Sequence, residues 1–230
     1  ALFYSYLIEL YGDVPLITQV QSLADSNQPR TSKSQVADFI IKELTEAAAV
    51  LSATNNPTSG RASKGAALAI KARTALYNER WTDAISASSE VMAMEGSLYK
   101  LEDNYATLFR NEGQNSKEVI FSVQYLVGTN VHALYRLFGS RNALAHTNKK
   151  PAYQLADSWE CTDGLPIDKS PLFNPKDPYK NRDPRLGYTL AVPGSVFLGY
   201  QFETHGERLK CWNDLTSKRV KNLEATLAYA

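Results

Sequence analysis

The run from Ala62 to Met94 constrains this chain more than any other stretch of it. Leu68, Ala69, Ala72, Arg73 and Leu76 recur at helical spacing, Asn78-Glu79-Arg80 then interrupts the pattern, and Trp81 follows. The spacing predicts a second helix starting at Thr82 or Asp83, with Ala84, Ile85, Ser88 and Val91 on one face. Residues this small cannot hold two helices apart, so the pair can cross with its backbones close together. The pattern points to a fold built from helical hairpins.

Close crossing over small residues is the tetratricopeptide arrangement. Leu68, Ala72 and Ala84 can be laid onto that repeat, while Ser88 and Val91 replace its usual large aromatic and alanine. Upstream, Ala1 to Tyr11 places Leu2, Phe3, Tyr6, Leu7 and Leu10 at helical spacing, with Gly12 as the expected C-cap and Pro15 as a stop. A polar connection from Gln19 to Ser34 leads to a helix that opens near Thr31 to Ser34 and runs to about Leu51. Its stripe is Val36, Phe39, Ile40, Leu44, Ala47, Ala48 and Leu51, and it can pair with the first helix as a second hairpin. Beyond Glu95 the periodicity fades: Glu118 to Val127 reads as a short strand, and residues 139–214 as long loops with short elements. The expected fold is mainly α, with tetratricopeptide-like helical hairpins and a loop-rich C-terminal half carrying short strands. Residues 1–127 form the helical scaffold and 128–230 the loop-rich region, and long structured loops on a rigid scaffold are where binding sites usually sit.

Charge narrows the function. Lys plus Arg number 25 against 24 for Asp plus Glu, so no cation surplus is present to displace phosphate counterions, and a nucleic-acid binder is disfavoured. No apolar run approaches the ~20 residues of a membrane-spanning helix. Cys161 and Cys211 stand in no motif; one bridge and two reduced thiols are both open. The sequence opens inside an apparent helix with no Met, signal peptide or lipidation motif, as expected of a fragment or a trimmed chain.

Several motifs have a plain reading. Gly60-Arg-Ala-Ser-Lys-Gly65 resembles a phosphate loop superficially, but Ala66-Ala67 stand where Lys and Ser or Thr are required, so it reads as a loop feeding a helix. His132, His146 and His205 lack metal-ligand spacing, and no metal or cofactor is expected. Asp157, Glu160, Asp163 and Asp168 cluster in sequence; solvated loop carboxylates are the favoured reading over the facing pair that a glycosidase needs. Asn181-Arg182-Asp183-Pro184-Arg185 combines a turn with two arginines able to bridge carbonyls or carboxylates, and a structural role is favoured. Trp159, Tyr179, Tyr188, Phe197, Tyr200 and Trp212 fall in the loop-rich half. Pyranose rings present patches of C–H that pack flat on indole or phenol faces, while neighbouring polar groups orient the hydroxyls. The candidate ligand contacts are therefore Trp159, Tyr179, Tyr200, Trp212 and Asp163, with no catalytic residue.

Four stretches, in order, resemble the SusD/RagB family: ALFYSYLIELYGDVPLIT (1–18), GRASKGAALAIKARTALYNERWTDAISASSEVM (60–92), NYATLFRNEGQNSKEVIFSVQY (104–125), and ECTDGLPI with DPYKNRDPRLGYTL (160–167 and 177–190). The resemblance implies a non-catalytic, lipid-anchored protein of the outer-membrane surface. Such a protein binds an oligosaccharide or peptide and delivers it to a SusC-like TonB-dependent transporter. Its membrane attachment is an N-terminal lipid anchor that this sequence lacks. Residues 203–230 match nothing in that pattern. Two other readings stay open: a helical scaffold that binds a protein or peptide, and a glycoside hydrolase.

Overall fold

A computed structural model of the chain describes residues 1–25, 27–54, 60–126, 128–139, 146, 148–197, 200–202 and 226–227. The chain divides into two compact units, Ala1–Asp103 with Glu112–Gln124, and Asn104–Asn111 with Tyr125–Ala230.

The first unit is helical. Helix α1 (Leu2–Tyr11) ends at Gly12, whose φ of 69° suits glycine and whose N–H donates to Ile8 O. Helix α2 (Lys33–Val50) starts at Ser32, whose hydroxyl accepts from Gln35 N. Helix α3 (Lys64–Tyr77) starts at Ser63, which accepts from Ala66 N. Each such cap is worth ~1 kcal/mol, because a helix N-terminus otherwise leaves its first N–H groups unpaired. The phosphate-loop lookalike is thus a cap and helix start. Helix α4 (Trp81–Met92) begins at Trp81, a residue or two before the expected Thr82 or Asp83. The turn ahead of it closes tightly through Glu79, at φ 60°, with Arg80 N donating to Ala75 O.

Helix α3 packs against both α2 and α4, and α1 against α2. Ile8, Val36, Ala37, Ile40, Leu44, Ala48, Ala67, Leu68 and Ala87 form one buried cluster, with Tyr4 and Phe39 against it. Burying a side chain the size of Val36 or Ile40 contributes ~1.5–3 kcal/mol. Two predicted faces are corrected. On α4 the buried residues are Ala84 and Ala87, with Val91 partly buried against the core, whereas Ile85 and Ser88 are exposed. On α1 the core face is Ser5 and Ile8, while Phe3, Tyr6, Leu7 and Leu10 are exposed. An almost wholly apolar helix offers two candidate stripes, and periodicity does not choose between them. At the α3–α4 crossing, Lys71 is buried and its Nζ lies 3.6 Å from the Asp83 carboxylate.

The predicted strand at Glu118 to Val127 is also corrected. Glu118 lies in a turn and Ile120 in a bend, Val119 N donates to Ser116 O, and the one pairing recorded among the described residues of the run is a single bridge, Leu126 with Asn130.

Among the described residues, the second unit holds four short helices, α5 (Tyr105–Leu108), α6 (Leu134–Phe138), α7 (Tyr153–Ser158) and α8 (Pro184–Thr189). Its strands have two residues each. β1 (Leu190–Ala191) pairs antiparallel with β4 (Thr226–Leu227), and β2 (Val196–Phe197) with β3 (Tyr200–Gln201). The chain is mainly helical, as expected. Among the described residues no helix is long and apolar enough to cross a membrane.

Candidate functional site

The Asn181–Arg185 motif organises the loop-rich unit, and each of its residues has a distinct task. Asn181 adopts φ 57°, a left-handed turn that Asn tolerates better than most residues, and its Nδ2 donates to Leu172 O at 3.2 Å. Backbone bonds on either side, Thr162 N to Asn181 O and Asp183 N to Glu160 O, clamp the motif onto the segment around Cys161.

Arg182 is buried, and its guanidinium ties three pieces of chain together. Nη1 donates to Pro178 O at 2.8 Å, and Nη2 to Trp159 O at 2.6 Å and to Ala156 O. A positive fork at the end of α7 satisfies carbonyls that the helix leaves unpaired. Desolvation by burial lowers the Arg182 pKa, and Cys161, Asp157 and Tyr179 oppose that shift. Asp183 then caps α8, accepting from Arg185 N at 2.9 Å, and Pro184 takes the first helical turn, where its missing N–H does no harm. The Arg185 side chain returns to Asp183 through Nε and Nη2. Its hydrogen bonds hold the Asp183 carboxyl below the usual carboxylate range.

The predicted ligand residues scatter around this frame. Trp159 is half-buried against Leu186 and Leu190, and the Arg185 guanidinium sits 5.4 Å from its ring centroid. Its Nε1 is buried and has no partner among the described residues. The indole is therefore a packed floor for α8, with Arg185 set over its ring. Tyr179 packs into the same cluster. Burial first, and the nearby Asp157 carboxylate second, push its phenol up to about 12, against the opposing pull of Arg182. Asp163 is exposed but engaged within its own loop: Oδ1 accepts from Leu165 N at 3.1 Å, and Oδ2 from Ser170 Oγ at 2.7 Å. That bonding, with Gly164 at φ 75°, explains the Asp-Gly pair as a turn. Tyr200 opens β3 opposite Phe197; its side chain, like the whole of Trp212, Cys211 and His205, lies outside the described residues. The structure brings Trp159 and Tyr179 together in packing and leaves Asp163 in a separate turn.

Two residues outside that set are more open. On α5 and just after it, Tyr105 and Phe109 meet at a centroid distance of 5.0 Å, and Tyr105 lies 6.3 Å from Tyr188 of α8. Tyr188 is 49% exposed and Phe109 38%. Nothing in the spacing of these residues links them, because 79 positions that separate Tyr188 from Phe109 carry no periodic signal. No group of three or more His, Cys, Asp or Glu able to hold a metal occurs among the described residues.

Comparison with known proteins supplies the context. Residues 1–76 match the family model described as starch-binding, associating with the outer membrane. A SusD-like protein of Bacteroides ovatus is 30% identical over 135 residues, 54% of this chain and 24% of that protein. A SusD-like protein of Formosa agariphila is 26% identical over 127 residues, again 54% and 24%. The crystal structure of a SusD-like carbohydrate-binding protein of Bacteroides fragilis superposes with TM-score 0.77 and 31% identity, over 86% of this chain and 40% of that one. The matches span about a quarter of the length of these curated relatives.

Proposed function

We propose that this chain, a member of the SusD/RagB family, binds nutrient glycan without cleaving it, at the surface of the outer membrane, and hands it to a SusC-like TonB-dependent transporter. The observation that carries the reading is the fold match to a carbohydrate-binding relative, which extends over 86% of this chain and so takes in the loop-rich unit as well as the helices. Helical hairpins supply rigid support, and the loops of the second unit supply aromatic faces and polar edges, the combination that saccharides require.

The non-catalytic part rests on chemistry. A glycosidase positions two carboxylates across a bond, one of them free to carry a proton. Asp163 uses both oxygens to hold its own turn and Asp183 uses both on Arg185, which makes these two unsuited to that role, and likeness to carbohydrate-binding relatives supports the same reading for the rest. The surface location, a lipid anchor and the transporter are implications of family membership.

Titration calorimetry of the purified chain against a panel of neutral oligosaccharides, with chromatography of the recovered sugars, tests the reading. Saturable binding with sugars recovered intact is expected; shortened products would make the protein a hydrolase. A second reading, a scaffold for a peptide or protein partner, draws on the exposed Phe3, Leu10, Trp81 and Ile85 of the helical unit. It predicts peptide binding that survives loss of the aromatic residues in the loops.

A further inference from the structure

We propose that Tyr188, Tyr105 and Phe109 form a stacking subsite for a neutral pyranose ring, with the Arg185–Asp183 pair as its hydrogen-bonding edge. The inference deepens the glycan-binding reading and rests on it.

Geometry comes first. The three rings are contiguous, with neighbouring centroids 5.0 and 6.3 Å apart, inside the range at which aromatic rings couple. Tyr105 is half-buried and forms the floor, and the exposed parts of Phe109 and Tyr188 flank it. By contrast, Trp159 is packed below Arg185, and Tyr179 is packed beside Leu186 and Leu190. Among these residues, the open aromatic surface belongs to α5 and α8.

The polar groups match a sugar. Neither the Tyr105 nor the Tyr188 hydroxyl has a hydrogen-bond partner among the described residues, and both can donate or accept. Arg185 directs Nε and Nη2 to Asp183, which leaves Nη1 able to donate outward. The guanidinium and carboxylate neutralise one another, so this edge presents hydrogen-bonding groups with no net charge. Such an edge suits hydroxyls and gives no advantage to a phosphorylated or carboxylated ligand.

The ledge is also held in place before ligand arrives. Tyr188 follows Leu186, 2% exposed, and precedes Leu190, 0% exposed, on the helix that Asp183 caps and Arg182 anchors. A rigid ring with two side-chain torsions loses little entropy on binding, which favours tyrosine as a contact residue.

The test uses the full chain with maltoheptaose, laminarihexaose, cellohexaose, xylohexaose and mannohexaose as probes. For whichever sugar binds, Tyr188→Ala is expected to weaken Kd about tenfold, as loss of one stacking face worth ~1.4 kcal/mol requires. Tyr188→Phe keeps the face and is expected to stay within about threefold. Tyr77→Ala, on an exposed tyrosine of the helical unit, serves as the unaffected control. Independently of any substitution, saturating sugar is expected to shift the ring resonances of Tyr105 and Tyr188 in the unaltered protein. If a sugar binds but neither Tyr188→Ala nor those resonances respond, the subsite is refuted and the glycan reading stands. If none of the five sugars binds, both fall together.

Discussion

Gly65→Ala is the substitution for which two well-understood effects act in opposite directions. Gly65 is the second residue of α3, in ordinary helical conformation, so alanine improves helix propensity, by at most ~1 kcal/mol. Space decides otherwise. A Cβ at position 65 would overlap Tyr99 Oη and meet Cζ at 2.7 Å and Cε2 at 2.8 Å. Tyr99 is 7% exposed, and its hydroxyl contacts Ser63 Oγ at 3.4 Å, so the ring moves only by disturbing the α3 cap. Overpacking of this kind costs ~1–3 kcal/mol, and contacts this short belong at the upper end. Net destabilisation of about 2 kcal/mol follows. The control is Tyr99→Leu, which removes the offending atoms and keeps an apolar side chain. In that background Gly65→Ala becomes neutral or slightly stabilising, giving a coupling of about 2–3 kcal/mol between the two positions. Urea unfolding of the four proteins, followed by far-ultraviolet circular dichroism, measures each term. A Gly65→Ala single variant as stable as its parent refutes the steric argument.

Three further outcomes follow from the loop-rich unit. Arg182→Ala removes donors to three carbonyls, each charge-assisted bond worth ~1.5–3 kcal/mol and the set not additive, so urea unfolding followed by circular dichroism should show a loss of about 3 kcal/mol or more. Arg182→Lys, with charge but no planar fork, should fall between. Tyr179 is raised from 10.0 to about 12 in the folded protein, so its contribution is complete below pH 10 and is lost as pH rises toward 12. Ultraviolet titration should find one tyrosine ionising last, and Tyr179→Phe should flatten that part of the stability curve. Asp183, depressed by its bonds from Arg185, contributes above the ordinary carboxylate pKa and loses that contribution only as pH falls through its lower folded value. Carboxyl nuclear magnetic resonance titration should therefore find Asp183 still ionised where exposed loop carboxylates have protonated, and Asp183→Asn should remove the difference.

What the sequence disclosed, and what it withheld, divide along physical lines. Helix starts and stops are local: Ser32 and Ser63 accept from N–H groups three residues away, and Gly12 sits where only glycine is comfortable. Of the three, Gly12 reads from sequence as a cap beside a periodic run, whereas Ser32 and Ser63 lie in stretches that sequence marks only as the opening of a helix. The charged motif at Asn181–Arg185 was legible as structural because its pieces, Asn for a left-handed turn and Asp-Pro for a cap, act within a few residues. Facing was harder. Helix α1 is apolar nearly all round, so Phe3 and Leu10 looked as suited to the core as Ile8, which holds it. The Glu118–Val127 run has strand composition, but a strand exists only with a partner, and a partner is a tertiary fact.

The candidate ligand contacts show the same limit. The ring chemistry of Trp159 and Tyr179 suits packing against Leu186 as well as it suits a sugar. Tyr105, with Phe109 against it, comes to lie beside Tyr188 only because α5 and α8 meet in space. Asp163 has the chemistry to orient a hydroxyl, and in the structure its oxygens accept from Ser170 Oγ and from the Leu165 N–H of its own turn. Sequence identifies which residue types a saccharide needs; folding determines which of them keep a face open to solvent.

We propose that the loop-rich unit is where glycan binds. Amide hydrogen exchange of the full chain, with and without a saturating oligosaccharide, addresses that claim directly. New protection is expected in residues 104–109 and 184–190, with the exchange of α2, α3 and α4 unchanged. Protection confined to those three helices, with none in the loop-rich unit, would contradict it.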